Sequence, residues 1–428
     1  SPSTGHVGMI TANSFMKREF GKKLIQDFFP KVDLTHVIDT SGAYIPGHGT
    51  PTVILFGRPR KPVGETVRAV FGIKGEPAAP ADPAQGFVWQ SIIKHIDKAG
   101  AQDEFTSSAD VPRTTFSVHP WSIGGGGATD VQERLETTDL TLGDLVNSVG
   151  FASFPGLDDA FIMDQQALAR KGVSRNLIKE FVYGERVRDW LFNADLYGLA
   201  PYDEHYDLIS LEPGSTWFSH LWNYRTCLEN IISFGGKTRK QSGDDWWGWY
   251  RWVQNKYRTP LSITFAEVVT HNHFVLDRGG KVFKQTAPII KLPAAATEDD
   301  HLTLLGLLNS SVAGFWLRQV CHNKGLLGQQ SGITSEKWEQ FIQLSGTAAG
   351  KFPVTELKPF SLARSLDSLG QDFIASLPDA IVGRGLPTHA ALEEGRVMAG
   401  RLRGRVVGLE EEIGWGGYRL FGLLGDGL

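Results

Sequence analysis

Cysteine, methionine and long apolar runs are all scarce in this sequence. Cys227 and Cys321 are the only cysteines among 428 residues, too few for a disulfide framework or a cysteine-rich zinc site. A reducing compartment, the cytoplasm, is the simplest expectation. We find no signal peptide and no apolar run long enough to span a bilayer, so we expect no membrane contact. With 41% hydrophobic and 21% charged residues, the composition predicts an ordinary globular protein of two or three domains.

Phosphate- and metal-binding motifs are incomplete. Gly235-Gly236-Lys237-Thr238 is not a P-loop, because Ile231 stands where that motif needs a glycine. No lysine follows Gly124–Gly127, so we interpret these four glycines as a flexible hinge. His271 and His273 would share one face of a strand, as metal ligands do, but no third ligand lies nearby in the sequence. We therefore predict no metal site.

The net charge of −4 hides an uneven distribution of charge. From Gly235 to Lys291 the sequence has ten lysines or arginines against four acids. This segment therefore carries about +6, and the rest of the chain about −10. Such a basic module favours a polyanionic partner, although charge runs are also typical of solvated surfaces.

The first sixty residues carry the clearest fold pattern. Val7–Ile10 is a short apolar run that predicts a strand buried on both faces. Ser14 is placed to cap a following helix, which Pro30 ends. Leu34–Ile38 and Thr52–Phe56 predict two more strands, joined by a turn-rich link. Together these elements make half of a doubly wound α/β sheet.

Three later stretches have distinctive patterns. Val67–Ile73 predicts an added strand at the edge of the sheet. Trp246–Trp252 contains five aromatic residues in seven, a cluster that is more typical of a core or a partner surface than of a base-stacking platform. Leu302–Val320 has apolar residues at helical spacing and predicts one strong helix.

The tail, residues 362–424, is helical by pattern. Pro378 and Pro387 are expected to interrupt it. Glu410–Glu412 are expected to face solvent. The glycines within Gly414–Gly417 disfavour a helix there.

Two segments near the start resemble a known enzyme family. They read TANSFMKREFGKKL (residues 11–24) and DTSGAYIPGHGTPTVILFGR (residues 39–58). Both resemble the end of the catalytic domain of gamma-class DNA adenine-N6 methyltransferases, specifically the bacteriophage-exclusion (BREX) family of the phage-growth-limitation type. The family's Asn-Pro-Pro-Tyr/Phe motif and FxGxG-type cofactor loop are absent and should precede Ser1. We therefore expect no catalytic residue within this chain, and S-adenosylmethionine to be bound mainly by residues missing from it.

The resemblance implies an α/β fold class with a defined order of parts. We expect the C-terminal part of a Rossmann-like methyltransferase sheet, followed by an α+β target-recognition domain and a helical tail. We place the last catalytic strands at 1–75, a connecting segment with Pro/Ala- and Gly-rich loops at 76–141, the recognition domain at 142–360 and the tail at 361–428. Gly184–Trp190 resembles a structural segment of the family, and Asn309-Ser310 is similar to its Leu-Asn-Ser signature.

The resemblance also places a target-base pocket. An adenine in duplex DNA must leave the stack before it is methylated. In related enzymes the aromatic ring of a Phe-Pro step stacks on it, and here the matching step is Ile45-Pro46, preceded by Tyr44. Either Tyr44 supplies the ring or Ile45 an apolar wall. Asn13 and Ser14, just past a strand end, are expected to line the same crevice.

The remaining candidates are DNA-binding side chains in and after the basic segment. We expect them to reach phosphates or a groove, with the first three on a mobile loop. They are Lys237, Arg239, Lys240, Arg251, Lys256, Arg258, His271, His273, Lys281, His322, Asn323 and Lys324.

The resemblance implies part of a site-specific DNA adenine-N6 methyltransferase of a phage-defence or restriction-modification system. Its expected partners are double-stranded DNA and other phage-defence proteins, and we expect this chain alone to be inactive. The alternative is a non-catalytic, sequence-specific DNA-binding module complemented by another chain. A methyltransferase-like piece of a fused restriction endonuclease is a third interpretation.

Overall fold

The computed structural model describes residues 5–192, 195–233, 235–325, 341–355 and 361–424. The chain forms two compact units, each described here by itself. Unit 1 comprises Ser1–Asp139, Val268–His271 and Gly314–Leu344. Unit 2 comprises Leu140–Glu267, Asn272–Ala313 and Ser345–Leu428. In the described ranges no helix combines the length and the apolarity needed to cross a membrane.

The strands are short, and most lie within antiparallel sheets. In chain order they are β1 Val7–Ala12, β2 Asp33–Asp39, β3 Thr52–Arg58, β4 Thr66–Gly72, β5 Thr106–Pro112, β6 Ser148–Gly150, β7 Ser153–Phe154, β8 Ile162–Met163, β9 Ile178–Val182, β10 Val187–Arg188, β11 Leu191–Phe192, β12 Tyr197–Leu199, β13 Arg251–Trp252, β14 Ser262–Phe265, β15 Val268–Val269, β16 Phe274–Asp277, β17 Lys281–Phe283, β18 Ile289–Lys291, β19 His322–Gly325 and β20 Phe341–Gln343.

The helices concentrate in the second half of the chain. In chain order they are α1 Phe87–His95, α2 Ala128–Leu135, α3 Leu142–Leu145, α4 Asp158–Phe161, α5 Gln165–Arg170, α6 Thr216–Trp222, α7 Arg225–Glu229, α8 Arg239–Ser242, α9 Glu298–Leu308, α10 Ser311–Val320, α11 Gly346–Gly350, α12 Ser361–Ser376, α13 Pro378–Val382 and α14 His389–Leu420.

Unit 1 is built on a five-stranded sheet of order β1-β3-β2-β4-β5. Strand β3 runs antiparallel to both β1 and β2, and β2 runs parallel to β4. The carboxyl ends of β1, β2 and β4 therefore meet at one edge of the sheet. The strands expected near 34–38 and 52–56 are confirmed. The strand expected at Val67–Ile73 exists as β4, but it pairs with both β2 and β5 and is not at the edge.

Strand β1 differs from its prediction. Its side chains are not buried on both faces. Val7, Met9 and Ile10 are 50%, 53% and 55% exposed. Within the described chain β1 pairs with β3 alone. The apolar run predicted the strand correctly, but burial depends on which neighbours cover it, and a local pattern does not contain that information.

The segment after β1 is a chain of short turns rather than one helix. It consists of 3-10 turns at Asn13–Met16, Glu19–Gly21 and Phe29–Lys31 and a π turn at Leu24–Phe28. The first turn has no side-chain cap, so Ser14 does not cap it. The backbone at Gly21 folds back onto the carbonyl of Phe15, where any added Cβ would lie 1.8 Å from its oxygen. A straight helix is excluded by this close approach.

Apolar side chains cover both faces of the sheet in unit 1. One cluster contains Phe15, Ile25 and Phe29, with Trp121 stacked on Phe29 at a ring distance of 5.1 Å. The other cluster packs helix α1 against Ile38 and Val70 through Val88 and Ile92. Two-sided burial of this kind is typical of a doubly wound sheet.

Unit 2 combines small sheets with a helical tail. Its two larger sheets have the orders β16-β14-β18-β6 and β17-β9-β12-β8. Two antiparallel strand pairs accompany them: the hairpin β10-β11, and β13-β7, whose strands are far apart in the sequence. The predicted helix at Leu302–Val320 is two helices, α9 and α10, separated at Asn309–Ser310. At this break the side chain of Asn309 forms hydrogen bonds with the main chain of Phe274, the first residue of β16.

The tail confirms the predicted breaks and corrects two details. Helix α12 ends before α13 begins at Pro378, and α14 begins after Pro387. Helix α14 continues through Gly414–Gly417, where a Cβ at Gly414 would lie 2.9 Å from the Oγ of Ser311. These glycines allow close helix packing. Glu410 is half-buried and accepts a hydrogen bond from Nε1 of Trp190 at 2.9 Å, so it does not face solvent as expected.

Candidate base pocket and nucleic-acid interface

Two predicted parts of the base pocket meet at the start of β3. The amide of Asn13 donates to the carbonyl of Pro51 at 3.0 Å, and the amide of Thr40 donates to the carbonyl of Thr52 at 3.2 Å. The hydroxyls of Thr40 and Thr52 lie 2.7 Å apart. The turn that contains Asn13 and the loop that follows β2 therefore flank the same strand end. Open α/β sheets bind ligands at such carboxyl edges.

The loop from residue 40 to residue 50 presents the predicted aromatic step. His48 donates its amide to the carbonyl of Ile45 at 3.1 Å, which closes a turn around Pro46. Tyr44 and Ile45 are half-buried, and Pro46 is exposed. Among the described residues the ring of Tyr44 stacks on no other aromatic side chain.

Two charged residues at the same edge escaped the sequence analysis. The carboxylate of Asp39 accepts the amide of Ser41 at 2.9 Å, and burial raises its pKa. Lys17 donates from Nζ to the carbonyl of Arg318 at 3.0 Å, and burial lowers its pKa to about 8. For Asp39, the last residue of β2, the signal in the sequence was a charged residue at the end of a buried strand. Perturbed pKa values of this kind mark candidate functional sites.

The predicted basic loop divides into exposed and buried cations. Lys237 is exposed. Lys240 is exposed and lies 3.7 Å from the carboxylate of Glu229. Arg239 is 6% exposed and donates to the carbonyls of Gly248 and Asp245. The expectation for Arg239 is corrected, because its guanidinium holds the fold of the loop and does not reach a phosphate.

Some of the cations after the loop are bound by other groups of the chain itself. Lys256 donates to the carbonyls of Gly150 and Phe151 at 2.8 and 2.9 Å, so its predicted DNA contact is corrected as well. Lys281 lies 3.3 Å from Asp277 and is largely covered. Arg258 is exposed. Arg251 is half-buried with its guanidinium over the ring of Tyr250, 4.8 Å from the centroid.

The predicted histidine contacts differ in exposure. His273 is buried, and its Nδ1 lies 2.8 Å from Asp189, so it is not placed to contact DNA. His271 is exposed, with Nδ1 3.2 Å from the hydroxyl of Thr270.

On β19 exposure rises along the strand. His322 and Asn323 are half-buried, whereas Lys324 is exposed.

An exposed aromatic and cationic cluster was also missed. Trp222 is 48% exposed, and the guanidinium of Arg225 lies over its ring at 4.5 Å. Trp246 contacts Trp222 edge to face at 6.3 Å, and Glu229 holds Arg225 at 2.6 Å. A tryptophan and an arginine three residues apart in the sequence were the available signal, although Trp222 ends α6 and Arg225 begins α7.

The rest of the aromatic run is core. Trp249 is buried, and Trp252 is stacked between Tyr202 at 3.9 Å and Tyr257 at 4.2 Å. The five aromatic residues therefore divide between a core and a surface, and only Trp246 joins the exposed cluster.

Glycines also lie at this sheet edge. The one glycine run, Gly124–Gly127, is joined to β4 by a hydrogen bond from the amide of Gly125 to the carbonyl of Gly72. A Cβ at Gly125 would lie 2.7 Å from Ile73 and 2.8 Å from Ser107. Gly125 therefore allows close packing of this segment against the sheet.

Comparison with solved structures defines the class of fold. The chain aligns over its whole length with the Type IIL restriction-modification enzyme MmeI, solved in complex with DNA, at a TM-score of 0.52 and 10% identity, and it covers 48% of that chain. The type IIG restriction endonuclease BpuSI aligns over 95% of this chain and 48% of its own, at a TM-score of 0.38 and 10% identity. The fold of the chain is thus similar to that of part of MmeI.

Sequence comparison identifies the family. No family model matches the chain. The adenine-specific methyltransferase PglX of Streptomyces coelicolor is 39% identical over 431 residues, which is 99% of this chain. The chain therefore belongs to the BREX adenine methyltransferase family represented by PglX. It spans 36% of the length of that relative.

Proposed function

We propose that this chain supplies the DNA-recognition part and the last strands of the catalytic sheet of a site-specific DNA adenine-N6 methyltransferase in a phage-defence system. The observation that carries the proposal is the shared edge of the sheet in unit 1. There, Asn13 and Thr40 both bond to the residues that begin β3. In the proposal S-adenosylmethionine supplies the methyl group and is bound mainly by residues outside this sequence.

The free side of β1 supports the view that the sheet is completed by further strands. Val7, Met9 and Ile10 are about half exposed on a strand that pairs on one side only within the described chain. The unpaired edge of an exposed, apolar strand such as β1 favours association with another strand. We infer that the remaining strands of a methyltransferase sheet pair with β1 and cover these side chains.

The proposed part of this chain in the reaction is to hold an adenine outside the helix. A flipped base needs a stacking surface and polar groups at its Watson–Crick edge. The half-buried ring of Tyr44 offers the first, and the side chains of Asn13 and Ser14 offer the second. Thr40 and Thr52 fix the spacing of these two parts through their hydroxyl contact.

DNA affinity in this proposal comes from a few exposed cations. Lys237, Lys240 and Arg258 are exposed on unit 2. Because phosphate contacts release bound counterions, each such contact makes binding weaken as salt rises. The covered cations Arg239 and Lys256 contribute to the fold instead.

A methylation assay tests the proposal. The chain is incubated with tritiated S-adenosylmethionine and mixed-sequence duplex DNA, and its DNA affinity is measured between 50 and 200 mM salt. We expect salt-dependent binding without incorporation of label above a no-protein blank. Label from the chain alone would contradict its proposed inactivity, and absence of DNA binding at low salt would contradict its proposed role in recognition.

A second arm separates the enzyme from a non-catalytic specificity module. The upstream portion of the PglX relative is joined in frame to this chain, and the assay is repeated. Label incorporation by the joined protein supports the enzyme. DNA binding without label, while intact PglX methylates the same DNA, favours the specificity module.

A further inference from the structure

Arg225, on the surface of unit 2, is held by three other side chains. Its guanidinium lies 4.5 Å from the ring centroid of Trp222 and 6.0 Å from that of Trp246. Its Nε donates to the carboxylate of Glu229 at 2.6 Å. Two rings and one carboxylate therefore restrict the orientation of the guanidinium before any ligand is bound, and such preorganisation lowers the entropic cost of binding.

The two tryptophan rings are packed in turn. Trp222 stacks on Phe218 at a ring distance of 5.1 Å, and Trp246 contacts Trp247 edge to face at 5.9 Å. The indole nitrogen of Trp247 donates to the carbonyl of Ile209 at 2.9 Å. The cluster is thus anchored to the rest of unit 2, and its shape does not depend on a ligand.

The terminal nitrogens of Arg225 are available to a ligand. Among the described residues Nη1 and Nη2 form no hydrogen bond, and the one bond of this side chain runs from Nε to Glu229. The side chain of Arg225 is 40% exposed, whereas that of Glu229 is 13% exposed. The more covered carboxylate therefore holds the guanidinium, while a planar pair of donors is left for solvent or a ligand.

The ion pair with Glu229 decides which ligand suits this arginine. The same carboxylate lies 3.7 Å from Nζ of Lys240, so one negative charge faces two cations. A phosphate is attracted by net positive charge, and the carboxylate weakens that attraction. A neutral ligand with two acceptors in one plane is not repelled by the carboxylate, and it receives two charge-assisted hydrogen bonds from Arg225.

Lys240 connects the guanidinium to the proposed DNA surface. Its side chain is 70% exposed, and it is one of the cations that we assign to DNA phosphates. In DNA complexes phosphate contacts position the protein, whereas contacts to base edges specify the sequence. In the major groove O6 and N7 of guanine are two acceptors in one plane, and a bidentate contact from a basic side chain is their commonest specific partner.

We propose that Arg225 recognises one guanine of the target site by donating from its two terminal nitrogens to O6 and N7 in the major groove. Trp222 and Glu229 are positioning residues that hold the guanidinium. This inference rests on the proposed role of the chain in DNA recognition. It names a residue that determines specificity, whereas the exposed lysines would bind the backbone of DNA of any sequence.

The test selects duplexes with a randomised central segment by their binding to the intact chain and then sequences the bound pool. Wild type is expected to enrich a motif that contains guanine. Arg225→Ala should lose the guanine preference at one position and keep the other positions. Its affinity for a fluorescent copy of the selected duplex should be about tenfold to a hundredfold lower. The slope of log affinity against log salt should stay unchanged, because no phosphate contact is lost.

Two further variants exclude a merely structural effect. Arg225→Met keeps a long side chain beside Trp222 without any donor, so it should lose the same preference, and it replaces any Arg225→Ala protein that fails to unfold cooperatively on heating. Arg186→Ala is the matched control. The side chain of Arg186 is 42% exposed, lies 5.8 Å from the ring centroid of Tyr183 and is paired with Asp195. Its removal should leave the motif unchanged.

The outcomes separate this inference from the proposed function. If the wild-type chain binds no DNA at low salt or enriches no motif, the proposed role in recognition fails, and this inference fails with it. If wild type enriches a motif, that role stands. A motif without guanine, or a folded Arg225→Ala protein that selects the wild-type motif, then overturns the inference alone. A salt slope lowered by about one unit with an intact motif overturns it as well, because Arg225 would contact a phosphate.

Discussion

Asn309 pairs with both main-chain groups of Phe274. Its Oδ1 accepts the Phe274 amide at 2.9 Å, and its Nδ2 donates to the Phe274 carbonyl at 2.9 Å. Asn272, two residues before Phe274, donates from Nδ2 to the carbonyls of Leu308 and Ser310. The break between α9 and α10 is thereby tied to the start of β16 from both sides, which gives the Leu-Asn-Ser signature a structural reason.

Asn309→Ala should lower the free energy of unfolding by about 2 kcal/mol, because it leaves buried main-chain groups of Phe274 without this partner. Urea titration of the intact chain measures the change. Asn230→Ala is the control: its amide bonds to the carbonyl of Thr226 at 2.8 Å on an exposed surface, and we expect an effect within about 0.5 kcal/mol. Equal effects of the two substitutions would contradict this account.

Lys237→Ala and Arg239→Ala should affect different properties, although the residues are two positions apart. Lys237→Ala should lower the salt slope of DNA binding by about one unit and leave the unfolding midpoint unchanged. Arg239→Ala should lower the unfolding free energy by about 2 kcal/mol, since it removes buried charged hydrogen bonds to Gly248 and Asp245. Salt titration and urea titration of both variants distinguish the two roles. A stable Arg239→Ala protein with a lowered slope would restore the original expectation.

Lys256 should make stability rise in mildly alkaline solution. Burial lowers the pKa of Lys256 to about 8 from its ordinary value of 10.5. Between these two pH values the unfolded chain binds more protons than the folded chain, so the contribution of Lys256 to the unfolding free energy rises with pH from about 8 to 10.5 and is constant below and above this range. The unfolding free energy of the wild type minus that of Lys256→Met should therefore rise by up to about 3 kcal/mol from pH 8 to pH 10.5. A constant difference across this range would show that Lys256 is charged in the folded chain throughout.

Tyr44→Ala should reduce turnover more than DNA binding in a methylation-competent enzyme that contains this chain. Stacking on one base is worth about 1–3 kcal/mol, so we expect a rate about tenfold to a hundredfold lower. Tyr44→Phe should restore most of the rate, because the ring carries the contact. Single-turnover rates and duplex affinity are measured side by side. A damaging Ile45→Ala with a silent Tyr44→Ala would assign the pocket wall to Ile45.

Gly404→Ala and Gly417→Ala should change stability in opposite directions, although both glycines lie in α14. A Cβ at Gly404 meets nothing within 4 Å, so alanine should raise the unfolding free energy by about 0.5–1 kcal/mol through its higher helix propensity. A Cβ at Gly417 would lie 3.2 Å from Ser310 and Val312, so alanine there should lower it. Thermal unfolding of both variants checks the signs.

Local features of the sequence predicted the parts of the fold that depend on local chemistry. Strands β2 and β3 follow from apolar runs, and the breaks of the tail follow from Pro378 and Pro387. The division of Leu302–Val320 into two helices was not predicted, because its cause, a side-chain pairing of Asn309 with Phe274, joins residues 35 positions apart. The apolar pattern alone continues smoothly through that point.

The sequence predicted the two segments that flank this edge of the sheet, but it did not predict how each basic side chain is bound. The turn at Asn13 and the loop at Tyr44 were found because strand ends are visible in the sequence. Arg239 and Lys256 were assigned to DNA because a basic residue looks the same whether its partner is a phosphate or a distant carbonyl. Only the folded chain distinguishes these partners. The cation over Trp222 belongs to Arg225, in the next helix, so helical spacing alone does not predict the contact.

The chain passes between its two units five times, because Val268–His271 and Gly314–Leu344 belong to unit 1. No single junction can therefore exchange unit 2 for that of a relative. A chimaera made by replacing everything after Asp139 also replaces β15, β19 and β20, and with them His322 and Lys324. Transplants that keep unit 1 native therefore need a junction at each of these crossings. A protein truncated at Asp139 lacks the three-stranded sheet β15-β20-β19, which belongs to unit 1.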